Sequence, residues 1–175
     1  CIYYFMISRF YIYNILFFIL ILIAQLYWPA IPISKDLTFY TDVVLIYITI
    51  LAIIHGRFPI IIIAFFGGLI QDVMILNVLG VFSLSKSIVA FCIGSIFNYR
   101  TIWSRSTQYI VIFISYLIHF IISCYLTKGL NYTHVLYILI SSAVPFILLI
   151  IVDSLIFKGR LLSNIKSDNI LSKFR

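Results

Sequence analysis

The chain is a succession of apolar runs, most of them about 17 to 25 residues long, the length that crosses the hydrocarbon core of a bilayer as a helix. Six such runs are read from the sequence: Phe10 to Trp28, Leu37 or Asp42 to Ile54, Phe58 to Leu76, Leu79 to Phe97, Gln108 to Leu126 and Val135 to Phe157. Backbone in hydrocarbon finds no water to bond, so each run is expected to close its hydrogen bonds within itself as a helix. Pro29 and Pro32 end the first run, His55-Gly56-Arg57 makes a tight connection, Pro59 sits in the first turn of the third run, and Pro145 predicts a kink in the sixth. The expected fold class is therefore all-α: a polytopic membrane protein of six transmembrane helices. Composition agrees, since 64% of the residues are apolar and only 10% are charged, against about half and about a quarter in a soluble domain.

The charges mark topology. There is no Glu, only five Asp, and twelve Lys plus Arg give a net charge of +7. Nucleic acid is excluded as a partner because the cations lie at span ends and in the tail, with no basic stripe to follow a phosphate backbone. With a cytoplasmic N-terminus, nine positives fall inside (Arg9, Arg57, Arg100, Arg105, Lys158, Arg160, Lys166, Lys173, Arg175) and two outside (Lys35, Lys128), while Lys86 lies within a span. Tyr27, Trp28, Phe39 and Tyr40 mark the outer boundary, Tyr99 and Trp103 the inner one. Both termini are expected in the cytoplasm, flanking one membrane domain over residues 1–157. Residues 158–175 form a basic tail whose Leu161, Leu162, Ile165, Ile170 and Leu171 allow a surface helix on anionic lipid, or a solvated retention tail. Cys1, Cys92 and Cys124 share no ligand spacing. Cys1 is expected to mark a shortened reading frame rather than a lipidated terminus, and no cleavable signal is read.

Within the third run stands Gly67-Gly68-Leu69-Ile70-Gln71-Asp72, followed by Leu79-Gly80. A carboxylate at membrane depth costs about 2.5 to 3.5 kcal/mol on insertion scales unless it faces protein or water. Ala64, Gly68 and Asp72 recur every fourth residue, and Gly67 and Gln71 form a second pair at that spacing, so one face of the helix is small and polar and admits a close neighbour. The fourth run carries Ser83, Ser87, Ala90 and Gly94 on one stripe beside Lys86. At 1.5 Å per residue Asp72 lies about 6 Å deep and Lys86 about 10 Å, which predicts an ion pair across adjacent antiparallel helices; the alternative is a lysine that snorkels outward. The candidates for helix packing and partner binding are thus Ala64, Gly67, Gly68, Gln71, Asp72, Gly80, Ser83, Lys86, Ser87 and Gly94. His119 shares a face with Ser115 and Ser123 and is a secondary polar candidate, more simply satisfied by a hydroxyl or carbonyl than used in a proton relay. Asp153 reads as interfacial, and Asn14 and Gln25 as interhelical hydrogen-bonding groups.

Enzyme classes fare badly. There is no His-Glu-x-x-His, no Gly-x-Ser-x-Gly and no phosphate loop, and Asp72 is the only acidic residue between Asp42 and Asp153, where a membrane phosphotransferase needs several. No cofactor is called for.

Gly68-Leu69-Ile70-Gln71-Asp72, then Leu79-Gly80, then Ser85-Lys86 and Gly94 resemble the Gly-Leu-x-x-Asp, Leu-Gly and Gly-bearing helix pattern of the rod shape-determining MreD family. Asp42 and Tyr47 fit the Pro-Asp and Tyr that often open its second span, with Thr41 in place of the usual Pro. The resemblance covers Asp42 to Gly94, and the remainder by span count and length. It implies a non-enzymatic scaffold of the lateral cell-wall synthesis machinery in the inner membrane, beside an MreC-type single-span protein, the actin-like MreB filament and the wall synthases. It also implies a fold similar to the substrate-binding subunits of energy-coupling-factor transporters. That likeness supplies the rival reading, a vitamin or small-molecule transport subunit, against which stand a first run with only Ala24 for an Ala-x-x-x-Ala contact and polar-poor outer loops. A third reading, a proton-coupled transporter using Asp72 and His119, lacks paired halves or a polar lining.

Overall fold

The architecture was taken from a computed structural model, which describes residues 16–25, 27, 31–34, 37–39, 41–76, 79–99, 102–128, 132–157 and 161–162. Six helices follow one another: α1 (Leu16–Gln25), α2 (Val43–His55), α3 (Arg57–Gln71), α4 (Val81–Tyr99), α5 (Arg105–Lys128) and α6 (Tyr132–Leu155). Between α1 and α2 lies a hairpin of β1 (Ile31–Ser34) and β2 (Leu37–Phe39), antiparallel, with Ile31 opposite Phe39 and an irregularity between Pro32 and Ser34. The all-α class holds, with this short hairpin added.

The expectation of six membrane-crossing helices is corrected. Among the described residues three segments are long and apolar enough to cross: Arg57–Met74, Arg105–Thr127 and Val135–Leu155. Leu16–Gln25, Val43–His55 and Val81–Ile96 are apolar but shorter. The reason is clearest in α2. Its 13 residues extend about 20 Å at 1.5 Å each, short of the roughly 30 Å hydrocarbon core. Asp42 caps its start, and Gly56, at φ +82°, ends it. Nine of its residues are buried, among them Val44, Leu45, Ile48, Ala52 and Ile53, and a helix apolar on every side belongs inside a body of protein. The apolar run that reads as a span is the central core helix. With three such segments in place of six, the fold of the energy-coupling-factor substrate-binding subunits is not supported either.

Around α2 the other helices close by antiparallel steps. Gly56 turns α2 directly into α3, its N–H bonding Ala52 O at 3.0 Å; the positive φ is one that glycine adopts without a Cβ penalty. The end of α3 passes into a π-helical turn, Asp72–Leu76, and Gly80, at φ +101°, starts the return into α4. α4 packs against α2, α3 and α5, and α5 packs against α6. Pro145 lies inside α6, which continues through it. The outward faces are aliphatic and aromatic, as with Phe58, Ile62 and Phe66 on α3, Ile110 and Ile114 on α5, and Leu136 and Ile147 on α6. Apolar exposure on that scale suits lipid as the solvent. Most of the basic tail and Asn14 of the sequence analysis lie outside the described residues.

Candidate functional site

At the end of the bundle where α2 begins, five helices bring polar side chains together. Asp42 stands immediately before the apolar run of α2, and its Oδ1 accepts the N–H of Leu45 at 3.0 Å, a helix N-cap. Gln25 of α1 brackets it: its Nε2 donates to Thr41 O at 2.8 Å and its Oε1 accepts from Val43 N at 2.7 Å. The second oxygen of Asp42 takes the ammonium of Lys86 from α4 at 2.6 Å. Lys86, fully buried, also donates to Gln71 Oε1 at the end of α3 and stands 4.9 Å over the Phe82 ring. His119 of α5 places Nε2 3.6 Å from Asp42 Oδ2, lies against Phe82 with ring centroids 6.0 Å apart, and meets Phe120 edge-on at 4.9 Å. Asp42, Gln71, Lys86 and His119 are thus one buried cluster drawn from α2, α3, α4 and α5.

The ion pair expected between Asp72 and Lys86 is replaced by two separate arrangements. Asp72 spends both carboxylate oxygens on backbone: Gly80 N at 3.0 Å, Phe82 N at 2.7 Å and Ser83 N at 3.2 Å. These are donors left free at the start of α4, and a negative charge there is favoured by the helix dipole. Lys86 lies further along α4 and reaches the other way, to Asp42. Although both side chains start near one level, the unpaired N–H groups at the start of α4 claim the carboxylate first.

The small residues are used within the chain. A Cβ at Gly68 would overlap the backbone of Ser83 in α4, one at Gly67 would meet the Phe18 ring of α1, and one at Gly94 would come within 2.8 Å of Arg57 Cα. Ala64 is fully buried in the core, and Ser83 is buried where α4 crosses Gly68. Ser87 donates to Ser83 O at 2.7 Å. The Gly67–Gly68 pair therefore seats two neighbours, α1 on one side and α4 on the other. Between α3 and α4 an open, apolar groove of about 460 Å³ remains, lined by Phe65, Leu69, Leu79, Gly80, Ser83, Leu84, Ser87 and Ile88.

Two further polar groups join helices deeper in the bundle and at its other end. Tyr116 of α5 donates to Thr49 Oγ1 of α2 at 2.9 Å, and Thr49 donates to Leu45 O at 2.9 Å. Asp153 of α6 accepts from Arg105 at 3.1 Å and Tyr109 at 2.8 Å, both of α5, and from Leu161 N at 3.0 Å. Asp153, read from sequence as interfacial, is buried in the protein and clasps α5 and the chain after α6. Asp42 was singled out only for its family resemblance; the signal that it is a cap was available, an Asp directly before an apolar helical run.

None of these groups forms a nucleophile with a base, and among the described residues no group of three or more His, Cys, Asp or Glu is placed to hold a metal ion. The cluster joins helices. The family model described as rod shape-determining protein MreD matches residues 5–159. The chain belongs to the MreD family. That membership makes it a non-enzymatic membrane protein linked to rod shape. No curated protein and no solved structure matches the chain. In this MreD chain the Gly-Leu-x-x-Asp element has a structural explanation: its glycine admits α4, and its aspartate holds the start of α4 against the end of α3.

Proposed function

We propose that the protein is an integral-membrane scaffold of the bacterial cell-wall elongation machinery, in the inner membrane, supporting lateral peptidoglycan synthesis and cell shape. The observation that carries this reading is the family match over residues 5–159. The interior supports it, because its buried charges are spent on tying helices together rather than on lining a path. The partner in direct contact is a single-span MreC-type protein, and the MreB-type filament and wall synthases are reached through that complex. The bundle end carrying Arg57 and Arg105 faces the cytoplasm, in accord with the positive charge these residues place there.

The glycines are occupied by helices of the same chain, so the partner-binding surface is assigned to the groove beside them, between Phe65 and Leu69 of α3 and Ser83, Leu84 and Ser87 of α4. A partner's transmembrane helix gains packing there where a small side chain leaves space. Ser87→Phe fills the groove from its open side. The expected outcome is loss of most co-purification with the single-span partner, and rounded cells, at an unchanged level of membrane-inserted protein. Undiminished co-purification and rod shape would overturn the groove assignment. Adjacent genes for an actin-like filament and a single-span coiled-coil protein are expected, whereas neighbours encoding an ATPase and coupling subunits would overturn the scaffold reading itself.

A further inference from the structure

One oxygen of the buried cluster is faced by two bases. Asp42 Oδ1 is spent on the N-cap bond to Leu45 N. Oδ2 is left to Lys86 Nζ at 2.6 Å and His119 Nε2 at 3.6 Å. The second distance is longer than a hydrogen bond, and neither nitrogen of the His119 ring has a hydrogen-bond partner among the described residues. Lys86 and His119 are both 0% exposed. The charges acting on the ring are those of Asp42 from α2 and Lys86 from α4. The end of α3 brings the neutral Gln71, which accepts from Lys86. The turn after it brings Asp72, whose charge acts on Lys86 but whose oxygens are taken by backbone N–H groups. Tyr116, one turn before His119 on α5, donates to Thr49 Oγ1, and Gln25 of α1 is committed to backbone on either side of Asp42. Asp153 of α6 lies at the opposite end of the bundle with Arg105.

We propose that Asp42 Oδ2 is a site for one cation, held by Lys86 and open to His119 only in place of Lys86, so that acid unlocks the bundle. A proton on His119 sets a second positive charge against a carboxylate whose single negative charge is already matched. Charges removed from water are stable only when paired, and among the described residues the imidazolium finds no second anion with an oxygen to spare. The unfolded chain takes up the same proton in water. Stability is therefore full above the ordinary imidazole range, about 6.5, and is lost as pH falls below it. Without Lys86 the sign reverses: His119 becomes the cation that Asp42 recruits, and stability is gained as pH falls. What loosens in acid is the junction of α2, α4 and α5. In the orientation proposed above that junction lies at the outer end of the bundle, where the medium supplies the proton, but the titration itself does not depend on orientation.

The test is thermal unfolding of the full chain in an uncharged detergent between about pH 8 and about pH 5.5. Wild type, His119→Gln, Lys86→Met and the double variant are compared. Relative to His119→Gln, whose profile carries what all other titrating groups contribute, wild type is expected to lose stability toward acid. The loss is up to about tenfold in the unfolding constant per pH unit, the linkage of one proton. Lys86→Met is expected to gain stability over the same window, and the double variant to gain nothing. Should Lys86→Met fail to fold, Lys86→Gln, which keeps a hydrogen-bond donor beside both oxygens, takes its place with the same expectation. Parallel profiles of wild type and His119→Gln overturn the proposal. So does a lysine variant that loses stability in acid as wild type does, since His119 then has no hold on Asp42.

Discussion

Asp42 and Lys86 are separated by 2.6 Å and almost wholly removed from water, and this decides what their substitution does. A buried ion pair is a weak source of net stability, because two charges have given up hydration to form it, whereas removing one partner leaves the other charge uncompensated at a cost of about 3 to 5 kcal/mol. Lys86→Met alone and Asp42→Asn alone are therefore each expected to lower stability by about that amount. The double variant is expected to lie well above either single one, measured as thermal unfolding in detergent. Additive losses would show that the two side chains act independently. Asp72 belongs to a different class, since backbone N–H groups are its partners. Asp72→Asn keeps one accepting oxygen and loses the charge, so its expected cost is about 1 kcal/mol, in the range of a lost helix cap. The sequence showed that Asp72 and Lys86 needed partners and left the choice open to error. Composition and spacing register an expensive group, but which neighbour satisfies it depends on helix rotation and on backbone donors that every residue type supplies equally.

Among the elements, α3 and α4 meet most closely, and Gly68 permits it. A methyl group there strikes the backbone of Ser83, which cannot rotate away as a side-chain tip can. Gly68→Ala is accordingly expected to destabilise by about 1 to 3 kcal/mol, the usual penalty for overpacking. For Gly67→Ala the nearest atoms are those of the Phe18 ring, and the substitution is expected to cost less. The same unfolding measurement ranks the two, and a reversed order would place the close approach on α1 instead. The small face of α3 was legible because spacing of four is a property of sequence. Its occupant was not, since a glycine stripe admits any helix and three neighbours were available. α2 illustrates the opposite limit. Its apolar residues promise a span, but length and flanking polar residues decide between a span and a core helix, and here Asp42 and Gly56 stop it at 13 residues.

At the scale of the molecule, three membrane-length segments among the described residues, together with α4, pack around the shorter α2, and polar ties at both ends and between them hold the assembly. His119 fits this plan as a buried ring lodged between Phe82, Phe120 and Asp42, at the cluster rather than on a path through the bundle. The membrane class, the six helices as elements and the family were readable from the order of runs and from the Gly-Leu-x-x-Asp element. The number of crossing helices was not, because hydropathy measures what a segment tolerates around it and not whether lipid or protein provides it.

The brevity of α2 also constrains how the molecule is made. A segment of about 20 Å headed by a carboxylate is a poor candidate for entering a bilayer by itself, and the glycine turn at Gly56 joins it without a break to α3, which is long enough to do so. The two are expected to enter as one helical hairpin. Because Lys86 follows Asp42 in the chain and lies on α4, the counterion of Asp42 becomes available only with that later helix, and a chain ended before Lys86 is expected to leave the core helix unsecured.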